Sequence, residues 1–368
     1  MNKNAMLIII TLLISLTLIT LSAVLGFSVV KKYGAEQKTP SVTNTDIIDN
    51  NTSSYEDKPS SEVTDFNPDN LLFNQKRFSL YTYEDMEKDL EALSNHFSSF
   101  CELDSIGETF DSRKLYRLSV GNPKSKNQYI VTGSIHAREY ITTKLVMMLT
   151  YDFLYSYQNQ DVLIHIVPMV NPDGVSISQL GKSGIRTDKA YRRIEEIAAL
   201  DNSSVDNSNY LRLWKANANG VDLNRNFDAL WDSYQGAGHP SADMYKGTSP
   251  GCEPEAAALI KLTQENPIKK TISYHTMGQV IYWYFGQEGD LLQQTEKFAK
   301  DISSSTGYPT DANYEKLDPA GYKDWALDKL GIPSITIEVG HGGQPVDESQ
   351  ISDIYRQNRD VFNIMITE

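Results

Sequence analysis

From residue 81 onward the chain alternates helix-period segments with strand-like apolar runs, and this alternation narrows the fold more than any other feature. YEDMEKDLEALSNHF (83–97) spaces its apolar residues helically and carries acids near its start. QYIVTGSI (128–135) reads as a strand and ITTKLVMMLTYDFLYSY (141–157) as a buried helix. DVLIHIVPMV (161–170) is a long apolar strand that runs into the turn signal NPDG at 171–174. EPEAAALIKLTQ (253–264) has Pro in its first turn and acids at its N-terminus, both helix-start signals. KTISYH (270–275) is a strand, LQQTEKFAKDISSSTG (292–307) a helix, and PSITIEVG (333–340) a strand. ISDIYRQNRDVFNIMI (351–366) closes the chain as one amphipathic helix. The pattern implies an α/β fold with a largely parallel or mixed sheet covered on both faces.

In such sheets the chemistry sits beyond the carboxyl ends of the strands. The run 128–135 is followed by His136, Ala137, Arg138 and Glu139, the next ends in His275, and the last holds Glu338 and then His341. Histidine and carboxylate at three strand ends form a metal constellation. His136 and Glu139 lie at i and i+3 where a strand hands over to a helix, so both side chains can reach one ion. Two cysteines exclude a disulfide scaffold and a four-thiolate zinc site, whereas a site of imidazole and carboxylate stays open. The third ligand comes from the remaining histidines. His96 sits on an amphipathic helix, His165 lies mid-strand as a satisfied core residue, and His239 falls in a Gly/Pro loop. His275, at a strand end before Thr276-Met277-Gly278, is the choice, with His341 next.

GSIHAREYIT, GVDLNRNFD, SYHTMGQ and TIEVG, in that order, resemble the motifs of the zinc metallocarboxypeptidases over roughly residue 81 to the C-terminus. The resemblance implies one zinc ion held by His136, Glu139 and His275, with Glu338 as general base. It implies a single α/β domain, a mixed, mostly parallel eight-stranded sheet between helices. Asp222 then accepts the second ring N–H of His136, and Asn224 with Arg225 grips a terminal carboxylate of the substrate, a task suited to a planar guanidinium. Arg138 lines the substrate path. Within the family, WKANANGVDLNRNF, HTMGQVIYWYFGQ and GYKDW are most similar to bacterial enzymes that cut peptidoglycan stem peptides at γ-D-glutamyl–diamino-acid bonds. The alternatives are a carboxypeptidase acting on ordinary L-peptides and an inactive binding module that keeps the fold. Intact His136, Glu139, His275 and Glu338 weigh against the latter.

The chain departs from the family pattern in two places. Digestive members carry an oxyanion-stabilising arginine after the tryptophan of an RxWR motif, where this chain reads Arg212-Leu213-Trp214-Lys215, leaving Arg212 and Lys215 as alternatives. The mobile tyrosine of the family has two candidates here, Tyr314 and Tyr322, in NYEKLDPAGYKDW. Lys323, two residues before Trp325, matches the base of the pocket for the departing residue and favours a side chain ending in negative charge.

Residues 5–30 contain no charge and are mostly aliphatic, long enough for a membrane span and longer than the apolar core of a usual signal peptide. The expectation is an N-terminal transmembrane anchor over 1–30, or a cleaved signal, then a polar disordered linker over 31–74 and a catalytic domain over 75–368. This places the protein at the cell membrane as a single-pass chain with an extracytoplasmic domain, or outside the cell if the segment is cleaved. The balance of 34 basic against 48 acidic residues gives a net charge of −14, which argues against a nucleic-acid partner.

Overall fold

The computed structural model of the chain describes residues 66–158, 160–312, 314 and 316–367. The first half contributes α1 (Tyr83–His96), β1 (Cys101–Glu108), β2 (Lys114–Gly121), β3 (Gln128–Thr132), α2 (Ile141–Ser156) and β4 (Leu163–Val167). Next come α3 (Pro172–Leu180), α4 (Asp188–Leu200), α5 (Pro254–Glu265), β5 (Ile268–Thr276) and β6 (Val280–Tyr282). The remainder holds α6 (Gly289–Thr306), β7 (Thr310–Asp311), α7 (Tyr322–Leu330), β8 (Ser334–Val339), α8 (Ile351–Asn358) and α9 (Val361–Ile366).

The eight strands form one sheet in the order β1-β2-β4-β3-β5-β8-β6-β7. The pairs β3–β4, β3–β5, β5–β8 and β6–β7 are parallel, while β1–β2, β2–β4 and β6–β8 are antiparallel. The mixed, mostly parallel sheet expected from the resemblance is the one found. Both of its faces are buried, as alternation along β3 requires. Val131 joins Leu145 and Leu149 of α2 in the larger core, whereas Ile130 joins Leu259 of α5 and Trp325 of α7 in a second core. A third cluster around Trp214, Ile194 and Ile197 supports the loop that reaches the metal-side end of the sheet.

Three expectations need correction. The turn signal at 171–174 is the start of α3: Asn171 caps it by accepting from the Gly174 N–H at 3.0 Å, with Pro172 in the first turn. The C-terminal helix is two helices, interrupted by a turn at Arg359 and Asp360 (φ −95°, ψ −2°), after which Val361, Phe362 and Met365 are buried. The end of the polar linker folds: Leu71 and Phe73 are buried, and the Asp89 carboxylate of α1 accepts from the Leu72 and Phe73 N–H groups at 2.7 and 2.9 Å. The anchor at 1–30 and the linker up to residue 65 lie outside the described residues. Among the described residues no helix is long and apolar enough to cross a membrane.

His165 of β4 is the core histidine its position implies. Its Nε2 lies 2.8 Å from Gln128 Oε1 and its Nδ1 lies 3.4 Å from Ser119 Oγ. Burial, helped by the Arg117 charge, pushes its pKa down to about 4. An unfolded imidazole titrates near about 6.5. Between those values the unfolded chain binds more protons, so this contribution is complete above about pH 6.5 and is lost as pH falls through about 4. Denaturant titrations at pH 7 and pH 4 are expected to show His165→Gln losing less stability on acidification than wild type, by roughly 3 kcal/mol at most.

Candidate metal centre and active-site cavity

The metal-side loop begins where β3 ends. Gly133 is required there by close approach, since a Cβ would meet the Pro168 carbonyl at 2.7 Å. Ser134 then takes a positive φ of 49°, anchored by its N–H to Thr142 Oγ1 at 2.8 Å. The chain is thereby turned so that His136 precedes a short 3-10 turn, Ala137–Glu139, and both expected ligands face inward and are buried. His275 comes from β5, and the parallel register of β5 on β8 sets it beside Glu338.

The three expected ligands converge. His136 Nδ1 lies 2.9 Å from Glu139 Oε1, His275 Nδ1 lies 3.0 Å from Glu139 Oε2, and the two Nδ1 atoms are 3.2 Å apart. One donor atom from each residue lies within 4.8 Å of the others, the one such cluster among the described residues. Two imidazole nitrogens and a carboxylate aimed at one point are electron-rich atoms that a divalent cation satisfies together. The other ring nitrogen of His136 is already used: Nε2 lies 3.1 Å from Asp222 Oδ1, which leaves the Nδ1 lone pair for a metal. The Thr276 N–H donates to Glu139 Oε2 at 3.1 Å and fixes the carboxylate plane. The donor set and its orientation fit zinc.

Asp222 is fully buried, and burial pushes its carboxyl up, but Lys215 and His136 outweigh that and hold it well below the usual range. Lys215 Nζ donates to Asp222 Oδ2 at 2.8 Å and lies 3.2 Å from Asp243 Oδ1. Glu338 has the opposite environment. Burial pushes its carboxyl up to about 8, with the His275 charge opposing and Glu139 reinforcing. Its Oε2 is shielded from water and has no hydrogen-bond partner among the described residues.

His136, Glu139, His275 and Glu338 line a cavity of about 550 Å³, together with Arg138, Asn224, Arg225, Lys215 and Lys323. Arg138 donates to the Leu213 carbonyl at 3.1 Å and pairs with Asp243 at 3.2 Å. Asn224 Oδ1 accepts from the Tyr322 N–H at 3.0 Å. Arg225 donates to the Asn224 carbonyl at 2.9 Å and pairs with Asp318 at 2.7 Å, its guanidinium 5.0 Å from the centre of the Tyr234 ring. Lys323 lies in the first turn of α7, where its ammonium donates to the Tyr284 carbonyl at 3.2 Å and pairs with Asp324.

The structure places both pairs of alternatives. Arg212 is absent from the cavity wall; its guanidinium donates to the Gln344 carbonyl at 3.2 Å and to Asn209 at 3.1 Å, both at the surface, so of the oxyanion pair Lys215 alone lines the cavity. Tyr322 is buried, its hydroxyl 2.9 Å from Thr263 Oγ1, and cannot swing, whereas Tyr314 is exposed and packs on Tyr284. His96 stacks on Phe66, His239 faces its neighbouring carbonyl, and His341 is exposed, so none joins the cluster. Cys101 and Cys252 are both free.

Sequence reasoning missed Gln344, whose Nε2 donates to the Thr276 carbonyl at 2.7 Å and braces the strand end beside His275. It also missed Tyr282, Tyr284, Lys316 and Asp318 in the cavity lining. The alternating aromatics of VIYWYF at 280–285 were the available signal for the tyrosines. Lys316 and Asp318 carry none.

The zinc carboxypeptidase family profile matches residues 86–361. The chain is 30% identical over 297 residues to γ-D-glutamyl-L-diamino acid endopeptidase 1 of Lysinibacillus sphaericus, covering 77% of this chain and 71% of that protein. It is 27% identical to mast cell carboxypeptidase A of Homo sapiens, covering 70% of this chain and 62% of that protein. Its fold overlays bovine thrombin-activatable fibrinolysis inhibitor, solved with a tick carboxypeptidase inhibitor, with a TM-score of 0.62 at 22% identity, covering 79% and 97% of the two chains. Matched along most of its catalytic domain, with the His-Glu-His cluster in place, the chain belongs to the zinc carboxypeptidase family of hydrolases.

Proposed function

We propose that this hydrolase cuts peptidoglycan stem peptides at the amide between γ-D-glutamate and a diamino acid, with His136, Glu139 and His275 holding the zinc. The observation that carries the chemistry is Glu338, a carboxylate with an unpartnered buried oxygen in the same cavity as the cluster. Bound there, zinc supplies a Lewis acid for the scissile carbonyl and lowers the pKa of water toward about 7. The charge of the bound dication would offset the burial that raises the Glu338 carboxyl and favour its carboxylate form, so that Glu338 Oε2 takes the proton of the attacking water and delivers it to the departing nitrogen. Asp222 keeps His136 in one tautomer throughout, and Lys215, its ammonium held on Asp222, contributes positive charge near the developing oxyanion. Asn224 and Arg225 orient the carboxylate of the departing residue.

Two observations support the substrate class. The Lysinibacillus relative is named for γ-D-glutamyl-L-diamino acid substrates, and Lys323 puts an ammonium in the cavity wall. A diaminopimelate side chain carries the same terminal ammonium as lysine and adds a carboxylate that can share the Lys323 ammonium with Asp324, whereas lysine offers only the ammonium. The setting we propose is the outer face of a bacterial membrane, with the apolar run at 5–30 as tether, or as an export signal if it is cleaved.

Glu338→Gln is expected to lower kcat by about 100-fold or more while zinc stoichiometry stays at the wild-type value. His275→Ala is expected to lower zinc content, measured by atomic absorption; near-normal turnover in Glu338→Gln would sink the mechanism. Lys323→Asp is expected to move the kcat/KM ratio of diaminopimelate-releasing over lysine-releasing peptides down by about tenfold. Mass spectrometry of the products decides the class. Release of C-terminal residues from plain L-peptides, with stem peptides left intact, would replace this reading by the broader carboxypeptidase. Protease shaving of intact cells is expected to free a soluble, active fragment; degradation of the domain only after lysis would overturn the extracytoplasmic placement.

A further inference from the structure

Arg225 and Asp318 form an unequal pair. Arg225 is 9% exposed and held from two sides, by the Asn224 carbonyl and by the Tyr234 ring. Asp318 has a side chain 66% exposed and lies in the irregular stretch between β7 and α7. Among the described residues Arg225 is the hydrogen-bonding partner of its carboxylate, at 2.7 Å. Both residues line the cavity that holds the His-Glu-His cluster. The arginine is therefore a fixed receptor, and the carboxylate on it is a surface side chain that can be exchanged.

We propose that Asp318 is a specificity-determining residue, an internal carboxylate that occupies Arg225 until a ligand carboxylate displaces it. This rests on the reading that Arg225 takes the carboxylate of the departing residue. A tethered competitor is present at a high effective concentration, so every ligand carboxylate binds Arg225 with its affinity divided by the same factor. A ligand that relies on its carboxylate alone, such as a released amino acid, then binds poorly. A ligand that also fills the rest of the cavity still binds. Between two ligands that both end in a carboxylate the ratio is unchanged, so the specificity that Asp318 sets is that of a carboxylate end over a neutral one.

The test reads binding. N-acetylglycine and its amide are titrated by NMR into zinc-loaded wild type and Asp318→Asn. The acid is expected to bind Asp318→Asn about fivefold more tightly than wild type, while the amide changes by less than about twofold. Adding Arg225→Gln to Asp318→Asn is expected to erase the gain, and thermal melting checks that each variant is folded. Unchanged or weaker binding of the acid to folded Asp318→Asn would overturn the proposal. Hydrolysis is scored separately with stem peptides and L-peptides. A protein that shows the shift but cleaves nothing overturns the proposed reaction and retains Asp318. An active protein without the shift overturns Asp318 alone.

Discussion

The site is organised around a single buried charge. Asp222 is removed from water, a position that costs several kcal/mol for an unpaired carboxylate. It stays ionised because Lys215, His136 and the Asn224 N–H converge on it. Each of those contacts positions something else. The bond to His136 selects the tautomer that leaves Nδ1 free, and the Lys215 ammonium is held at the cavity wall. The Asn224 N–H starts the turn Leu223–Arg225 that presents Asn224 and Arg225. Removing Asp222 leaves the Lys215 ammonium leaning on Asp243 and the His136 Nε2 without this carboxylate, and it frees the Asn224 N–H, so the cluster, the cavity charge and the turn Leu223–Arg225 are all disturbed.

The sheet supplies the other constraint. β3, β5 and β8 are adjacent and parallel, so their carboxyl ends lie side by side. His136, His275 and Glu338 were legible in the sequence because apolar runs at strand length end at them, and a parallel sheet brings such ends together without further information. Asp222 and Arg225 were not legible that way. They sit in a loop after Trp214, far from any strand, and only the resemblance of GVDLNRNFD to the family motif named them. Lys215 and Arg212 show where sequence stops. Two residues separate them, yet Lys215 lines the cavity and Arg212 bonds the Gln344 carbonyl at the surface.

The remaining misses have physical causes. NPDG combines strong turn formers, but Pro and a capping Asn are equally the start of a helix, and the apolar residues after Gly174 decided in favour of α3. The polar composition before residue 75 concealed Leu71 and Phe73, whose burial leaves the Leu72 and Phe73 N–H groups in need of an acceptor. Asp89 provides it from 16 residues away, a pairing without local signature. Asp318 is hidden for the same reason: nothing in KLDPAG marks an aspartate as the partner of Arg225.

Net charge and local charge diverge in this molecule. The chain carries −14 overall, yet Arg138, Lys215, Arg225, Lys316 and Lys323 all line one cavity of about 550 Å³. Most of these cations are paired with aspartates, and the degree of pairing differs. Lys215 is held by buried Asp222 and cannot be released without stranding a charge, so it acts as fixed potential. Arg225 is held by exposed Asp318 and can exchange its partner. Lys323 is held by buried Asp324 next to it in sequence, a pair that is locally near neutral but strongly dipolar. An acidic surface repels polyanions from the protein as a whole, while the cavity retains a graded set of cations for small carboxylates. On the proposed function, recognition of a carboxylate by this acidic chain depends on how firmly each cation is already engaged, and not on how many cations there are.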